Sequence, residues 1–179
     1  NGCARFDLYP IVVLYHLFAP DVLEWPKKDG RISLKLEHLN AANSLHSGPA
    51  HRALSDVETT IALANKLRHK HEIWDWAMKA FQKSEDQMRL QQCPTLSKDN
   101  PNHAIALMVD GRFGHKRSFL RPAISLGVHA HYGNQTLWLA LDELPLADIG
   151  EAFSQHSRLI IRKKWGEPPL MLPFKTRYE

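Results

Sequence analysis

The apolar pattern of this chain changes period once, close to residue 93, and that change limits the folds open to it. From Leu8 to about Gln91, apolar residues recur at helical spacing. Leu8, Ile11, Val12, Tyr15 and Phe18 form one stripe; Leu36 with Leu39, then Val57, Ile61 and Ala64, then Ile73, Ala77, Phe81 and Met88 form others. A turn-rich run follows from Cys93 to Asn102. Beyond it the chain reads as short β-compatible runs at 104–109, 120–131, 136–141, 158–165 and 170–174, separated by Gly, Pro, Asn or Asp. Helices grouped before strands imply an α+β fold. The expected organisation is a helical portion over 1–92, a linker over 93–103 and a small β-barrel over 104–179.

Local signals sharpen the helical part. Asp7 reads as the cap of a helix running to about Phe18, with Pro10 in its first turn. Trp25-Pro26 and Asp29-Gly30 mark a connector. A short helix is expected over 34–43, a longer one from Asp56 to about His71, and another reaching about Gln91.

Composition excludes several classes. The chain has 179 residues, 44% hydrophobic and 23% charged, as in an ordinary globular protein. No apolar run approaches the roughly 18 residues of a membrane span. Neither a secretory signal nor an internal repeat is visible. Cys3 and Cys93 lack zinc-ligand spacing, and free thiols suit a reducing cytoplasm. The His69/His71 and His129/His131 pairs read as solvated or core histidines, because zinc needs two further ligands. The net charge of +4 permits a polyanionic partner without demanding one.

One motif carries chemistry. Pro49-Ala50-His51-Arg52-Ala53-Leu54-Ser55-Asp56 sets a histidine five positions before an aspartate, with four residues between them, just ahead of a helical run. Five positions along an α-helix turn the chain about 140° past a full circle, so two such side chains inside one helix diverge. They converge only if His51 lies in the segment leading to the helix and Asp56 near its start. Ser55 with Glu58 reads as a capping box there. His51 suits a general base, since its ordinary pKa lies near neutrality, and Asp56 suits a metal ligand. The Asp56-Val57-Glu58 triplet is a decoy for a carboxylate pair, because residues i and i+2 point apart on a helix.

The motif and its flanks resemble bacterial exonuclease I, of the DnaQ-like (DEDDh) 3′–5′ exonucleases. The stretch from Arg31 to Asn43, the motif, then Val57-Glu58-Thr59-Thr60-Ile61-Ala62-Leu63-Ala64 match that family in order and register. Ala4-Arg5-Phe6-Asp7-Leu8 and, more loosely, Val109-Asp110-Gly111-Arg112-Phe113-Gly114 extend the match. The resemblance implies the C-terminal portion of an RNase H-like exonuclease domain followed by an SH3-like domain. It implies two Mg2+ ions held by four acidic residues, with His51 catalytic and Asp56 on the metal. The other three acidic ligands have no counterpart here, and no Met opens the chain. The sequence therefore reads as a piece of a larger exonuclease, inactive alone. The alternative is a non-catalytic single-stranded DNA-binding or protein-interaction module with a degenerate nuclease motif.

Two surfaces follow. Arg112, His115, Lys116, Arg117 and Arg121, interleaved with Phe113 and Phe119, have the mix that single-strand binding uses, charge for phosphates and rings for bases. A basic loop over two core phenylalanines reads equally well. The resemblance also assigns Lys35 and Trp76 to a surface that takes the acidic tail of single-stranded DNA-binding protein. Ala19 departs from that surface, where the family often carries arginine. Arg162 and Lys164, opposite Ile161 and Lys163, read as a solvated strand edge.

Overall fold

The structure, a computed structural model, describes residues 6–48, 53–97, 100–142 and 159–174. Its helices are α1 (Leu8–Phe18), α2 (Leu36–Asn43), α3 (Ala53–Arg68), α4 (His71–Ala80) and α5 (Lys83–Gln92). Between α1 and α2 lies a two-stranded ribbon, β1 (Lys27–Lys28) and β2 (Arg31–Ile32). Asp29 and Gly30, both at positive φ, make its turn, the conformation that a two-residue hairpin loop requires. After α5 come β3 (Thr95–Ser97), β4 (Asn100–Val109), β5 (Leu120–Val128), β6 (Gln135–Ala140), β7 (Ile160–Lys164) and β8 (Leu170–Pro173). The fold is α+β, with the sheet antiparallel throughout.

Asp7 caps α1 as its sequence suggests, accepting from the Tyr9 amide at 2.9 Å. The helix buries more than one stripe. Pro10, Ile11, Val12, Val13, Leu14 and Tyr15 are all buried, while Phe18 is not. It is enclosed by α3 and α4 on one side and β4 on the other. The Tyr15 hydroxyl donates to the Leu67 carbonyl at 2.6 Å, with the Lys70 carbonyl at 3.1 Å. It thereby ties α1 to the junction of α3 and α4, at carbonyls that also accept from the Lys70 and Trp74 amides. Burial, with Asp75 nearby, pushes its phenol up to about 12.

Helix α3 turns a different face inward from the one its apolar spacing predicts. Ser55, Thr59, Leu63 and Leu67 are buried, four residues apart, whereas Val57 and Ile61 are more than half exposed. The helix starts at Ala53, so Ser55 lies within it and makes no capping box. Farther on, the single helix expected from Ile73 to Gln91 is two, broken at Phe81 and Gln82.

The sheet runs in the order β3-β4-β5-β6-β7, with β8 also pairing β4. The segment expected to be a linker contributes to it, since Thr95 pairs with Ala104 and Ser97 with Asn100. Strand alternation splits β4 and β8 between two cores. Leu107, Val109, Leu170 and Leu172 join the α1 core, while Ala104, Ala106, Met108 and Met171 join Trp138, Ile161 and Trp165 on the other face. Helices and sheet are thus fused through one shared wall.

A buried charge lies in the second core. Lys163 is fully buried and pairs with Asp86 of α5, equally buried. The expected alternation holds, with Arg162 exposed and Lys163 on the buried face beside Ile161, where α5 supplies the carboxylate.

Candidate functional site

The His-x4-Asp motif is only half visible. His51 lies outside the described residues, so its place relative to Asp56 is not stated. Asp56 is exposed in the first turn of α3. It opens onto a cleft of about 330 Å3 between the starts of α2 and α3, whose walls include Lys35, Glu37, Asn40, Gly48 and Ser55.

The chain leading to the motif is tied down on both sides. The Asn40 side chain accepts from the His46 amide at 2.8 Å and donates to the His46 carbonyl at 3.1 Å. The His46 ring reaches Glu58 of α3 at 3.1 Å. These contacts fix residues 44–48 against both helices, and neither Asn40 nor His46 stands out in the sequence. Among the described residues, no group of three or more His, Cys, Asp or Glu side chains could hold a metal ion. Asp56 by itself does not fit a two-magnesium centre.

The basic loop spans two 3-10 turns, Gly111–Phe113 and His115–Arg117, and much of its charge is internally paired. Asp110 accepts from the Arg112 amide and from Nε, both at 2.9 Å, and from Nη2 at 2.6 Å. These bonds raise the Arg112 pKa further above its ordinary value. Asp142 joins Arg117 Nε at 2.9 Å to Arg121 Nη2 at 2.7 Å. The Arg121 side chain is 7% exposed and its guanidinium stands 5.9 Å from the Phe113 ring centre. Phe119 is buried against His115 and His16. Lys116 is exposed and has no ion pair among the described residues. Lys116, Arg117, Leu120, Pro122 and Asp142 surround an open cleft of about 560 Å3.

Lys35 and Trp76 have different surroundings. Lys35 faces the cleft beside Asp56. Trp76, half-buried on α4, is covered by the Arg89 guanidinium at 3.6 Å from its ring centre. Arg89 also donates to the Trp76 carbonyl. Burial pulls the Arg89 pKa down from its ordinary value, with Asp86 opposing.

No family model matches the sequence. The chain is 38% identical over 71 residues to exodeoxyribonuclease I of Haemophilus influenzae, a stretch covering 39% of this chain and 15% of that protein. It is 36% identical over 66 residues to exodeoxyribonuclease I of Escherichia coli K12, covering 36% and 14%. In structure it matches exonuclease I from Methylocaldum szegediense with a TM-score of 0.78 at 24% identity, over 97% of this chain and 39% of that one. It matches E. coli exonuclease I in complex with a dT13 oligonucleotide at 0.79 and 22% identity, over 96% and 39%. An ExoI/SSB-Ct complex matches at 0.77 and 21% identity, over 94% and 38%. The likeness to bacterial exonuclease I is thus present in both sequence and fold. The chain spans about two-fifths of the solved structures, and its sequence matches cover about 15% of the curated relatives.

Proposed function

We propose that this chain is part of a 3′–5′ single-stranded DNA exonuclease of the exonuclease I type, carrying its histidine–aspartate motif and its SH3-like domain. The observation that carries this reading is Asp56, set on the first turn of α3 and open to a polar cleft, within a fold shared with exonuclease I. In this reading His51 removes a proton from the attacking water and Asp56 is one acidic ligand of the two-magnesium centre. That centre needs further carboxylates, so the chain alone does not hydrolyse DNA. The basic loop over 111–121 contacts single-stranded DNA. The acidic tail of a single-stranded DNA-binding protein is the second partner, consistent with the ExoI/SSB-Ct neighbour.

The test uses the full-length protein that contains this sequence. His51→Ala reduces turnover by about 10²-fold or more while leaving oligonucleotide affinity nearly unchanged, the size of effect that a general base supplies. Asp56→Asn weakens both turnover and its magnesium dependence. Normal turnover in His51→Ala at neutral pH overturns the base assignment. Nuclease activity from the pure 179-residue chain overturns the claim that it is inactive alone and turns attention to a metal site elsewhere. Binding without any activity from the full-length protein favours the non-catalytic module.

A further inference from the structure

The β1–β2 ribbon displays charge that the fold itself does not use. Lys27, Lys28 and Arg31 are all exposed, and none has an ion pair among the described residues. In the ribbon register Lys28 lies directly opposite Arg31, on the same face. Like charges set opposite one another destabilise a strand pair. Asp29, in the turn between them, offsets one of the three cations. Edge lysines elsewhere keep sheets from associating, but strands of two residues have almost no edge to defend. The ribbon is nonetheless firmly mounted. Trp25 Nε1 donates to the Pro20 carbonyl at 2.8 Å, and the Ser33 amide to the Pro26 carbonyl at 2.8 Å. The Glu24 amide and carbonyl bond the Asn43 side chain at 2.9 and 2.8 Å. A row of rings ties the ribbon's base to the basic loop. Trp25 meets His16 at 4.8 Å, His16 meets Phe119 at 5.8 Å and Phe119 meets His115 at 4.7 Å between centroids. Lys27 stands two residues from one end of this row, and Lys116 is next to the other.

We propose that this ribbon is an accessory contact for the backbone of single-stranded DNA, in which Lys28 and Arg31 neutralise phosphates outside the Asp56 cleft. The strand that passes Lys116 on the basic loop continues past the row of rings to the ribbon. Two cations on one face, without carboxylate partners, suit a partner that brings negative charge at close intervals. A nucleic acid strand does so at every linkage, and its flexibility lets it reach both segments. Phe119 is buried and Trp25 and His16 are half-buried, so the rings hold the two segments together while charge makes the contact. Binding at the ribbon is therefore indifferent to base sequence and sensitive to salt. Naming the polymer rests on the exonuclease reading, whereas the need for an anion rests on the ribbon's own register and exposure.

The experiment titrates the 179-residue chain with fluorescent oligothymidine at several salt concentrations, with a chelator present so that nothing is cleaved. Each phosphate contact adds about 0.7 to the log–log salt slope, so Lys28→Ala with Arg31→Ala flattens it by about 1.4. Affinity at about 50 mM salt falls roughly tenfold or more, equally for oligothymidine and a mixed-sequence strand. The loss adds to that of Lys116→Ala, as effects at separate sites do. Arg31→Glu separates binding from structure. It sets opposite charges across the ribbon, so its urea midpoint matches or exceeds that of wild type. Its oligothymidine affinity nevertheless drops below that of Arg31→Ala. An unchanged slope in the folded Lys28→Ala/Arg31→Ala protein overturns the proposal, as does a wild-type chain that does not bind oligothymidine. Tighter binding of oligoglutamate than of oligothymidine, lost in the same variant, assigns the ribbon to an acidic protein segment and also overturns it. The exonuclease reading survives each of these results, because it is judged by turnover of the full-length His51 and Asp56 variants.

Discussion

At the scale of single residues, Lys163 shows how burial changes the meaning of a charge. Its ammonium donates to Asp86, to the Glu167 carbonyl at 2.6 Å and to the Lys164 carbonyl at 3.0 Å, so all three N–H groups are occupied. Asp86 also accepts from the Gly166 amide at 2.8 Å, which ties the turn after β7 to α5. Burial pulls the lysine pKa below its ordinary value and Asp86 opposes that pull. Removing one partner leaves an uncompensated buried charge. Asp86→Ala is therefore expected to cost about 3–5 kcal/mol in a urea melt. The double variant Asp86→Leu with Lys163→Met costs much less than the sum of its parts, apart from the Gly166 amide it leaves unserved. Additive costs in that double-mutant cycle would show that the two groups do not act as a pair.

At the scale of elements, the sequence is most legible where contacts are local. Asp7 capping α1, the Asp29-Gly30 turn and the strand runs after residue 103 all depend on neighbours a few positions apart, and the structure has them. Faces were harder to read. Apolar spacing favours Val57 and Ile61 on α3, but the inward face is fixed by what packs there, and α1 and α2 select Ser55, Thr59, Leu63 and Leu67. The wall of the Asp56 cleft escaped for the same reason, since Asn40, His46 and Gly48 acquire roles only through tertiary contact. The basic loop is a third case. Its charges are plain in the sequence, but Asp142, which joins Arg117 and Arg121, lies more than twenty residues away. That pairing changes what the loop is expected to do. Each phosphate neutralised on a single strand contributes about 0.7 to the log–log salt slope of binding. Lys116→Ala should flatten the slope for oligothymidine by about that amount, whereas Arg121→Ala should mainly lower stability. An unchanged slope in a folded Lys116→Ala protein would return the loop to a solvated surface feature.

At the scale of the whole molecule, the shared wall of β4 and β8 predicts that helices and sheet unfold together. The α1 core includes Leu107, Val109, Leu170 and Leu172, so loss of the sheet exposes the central helix as well. His16 sits at that junction, its ring 4.8 Å from Trp25 and 5.8 Å from Phe119 between centroids. Its buried Nδ1 has no hydrogen-bond partner among the described residues. Burial, with a smaller contribution from His115, lowers its pKa in the folded state. The unfolded chain then binds the proton more readily, so acid favours unfolding. This contribution is fully present above the ordinary histidine value of about 6.5 and is lost as pH falls from there through the folded value. Tryptophan fluorescence and far-UV circular dichroism should give coincident urea transitions, and their midpoint should drop below about pH 6.5. His16→Phe should keep the coincidence and remove that part of the drop. Separate transitions for the two probes would show that the wall does not couple the layers. A His16→Phe midpoint that falls in parallel with wild type would assign the acid sensitivity to other groups.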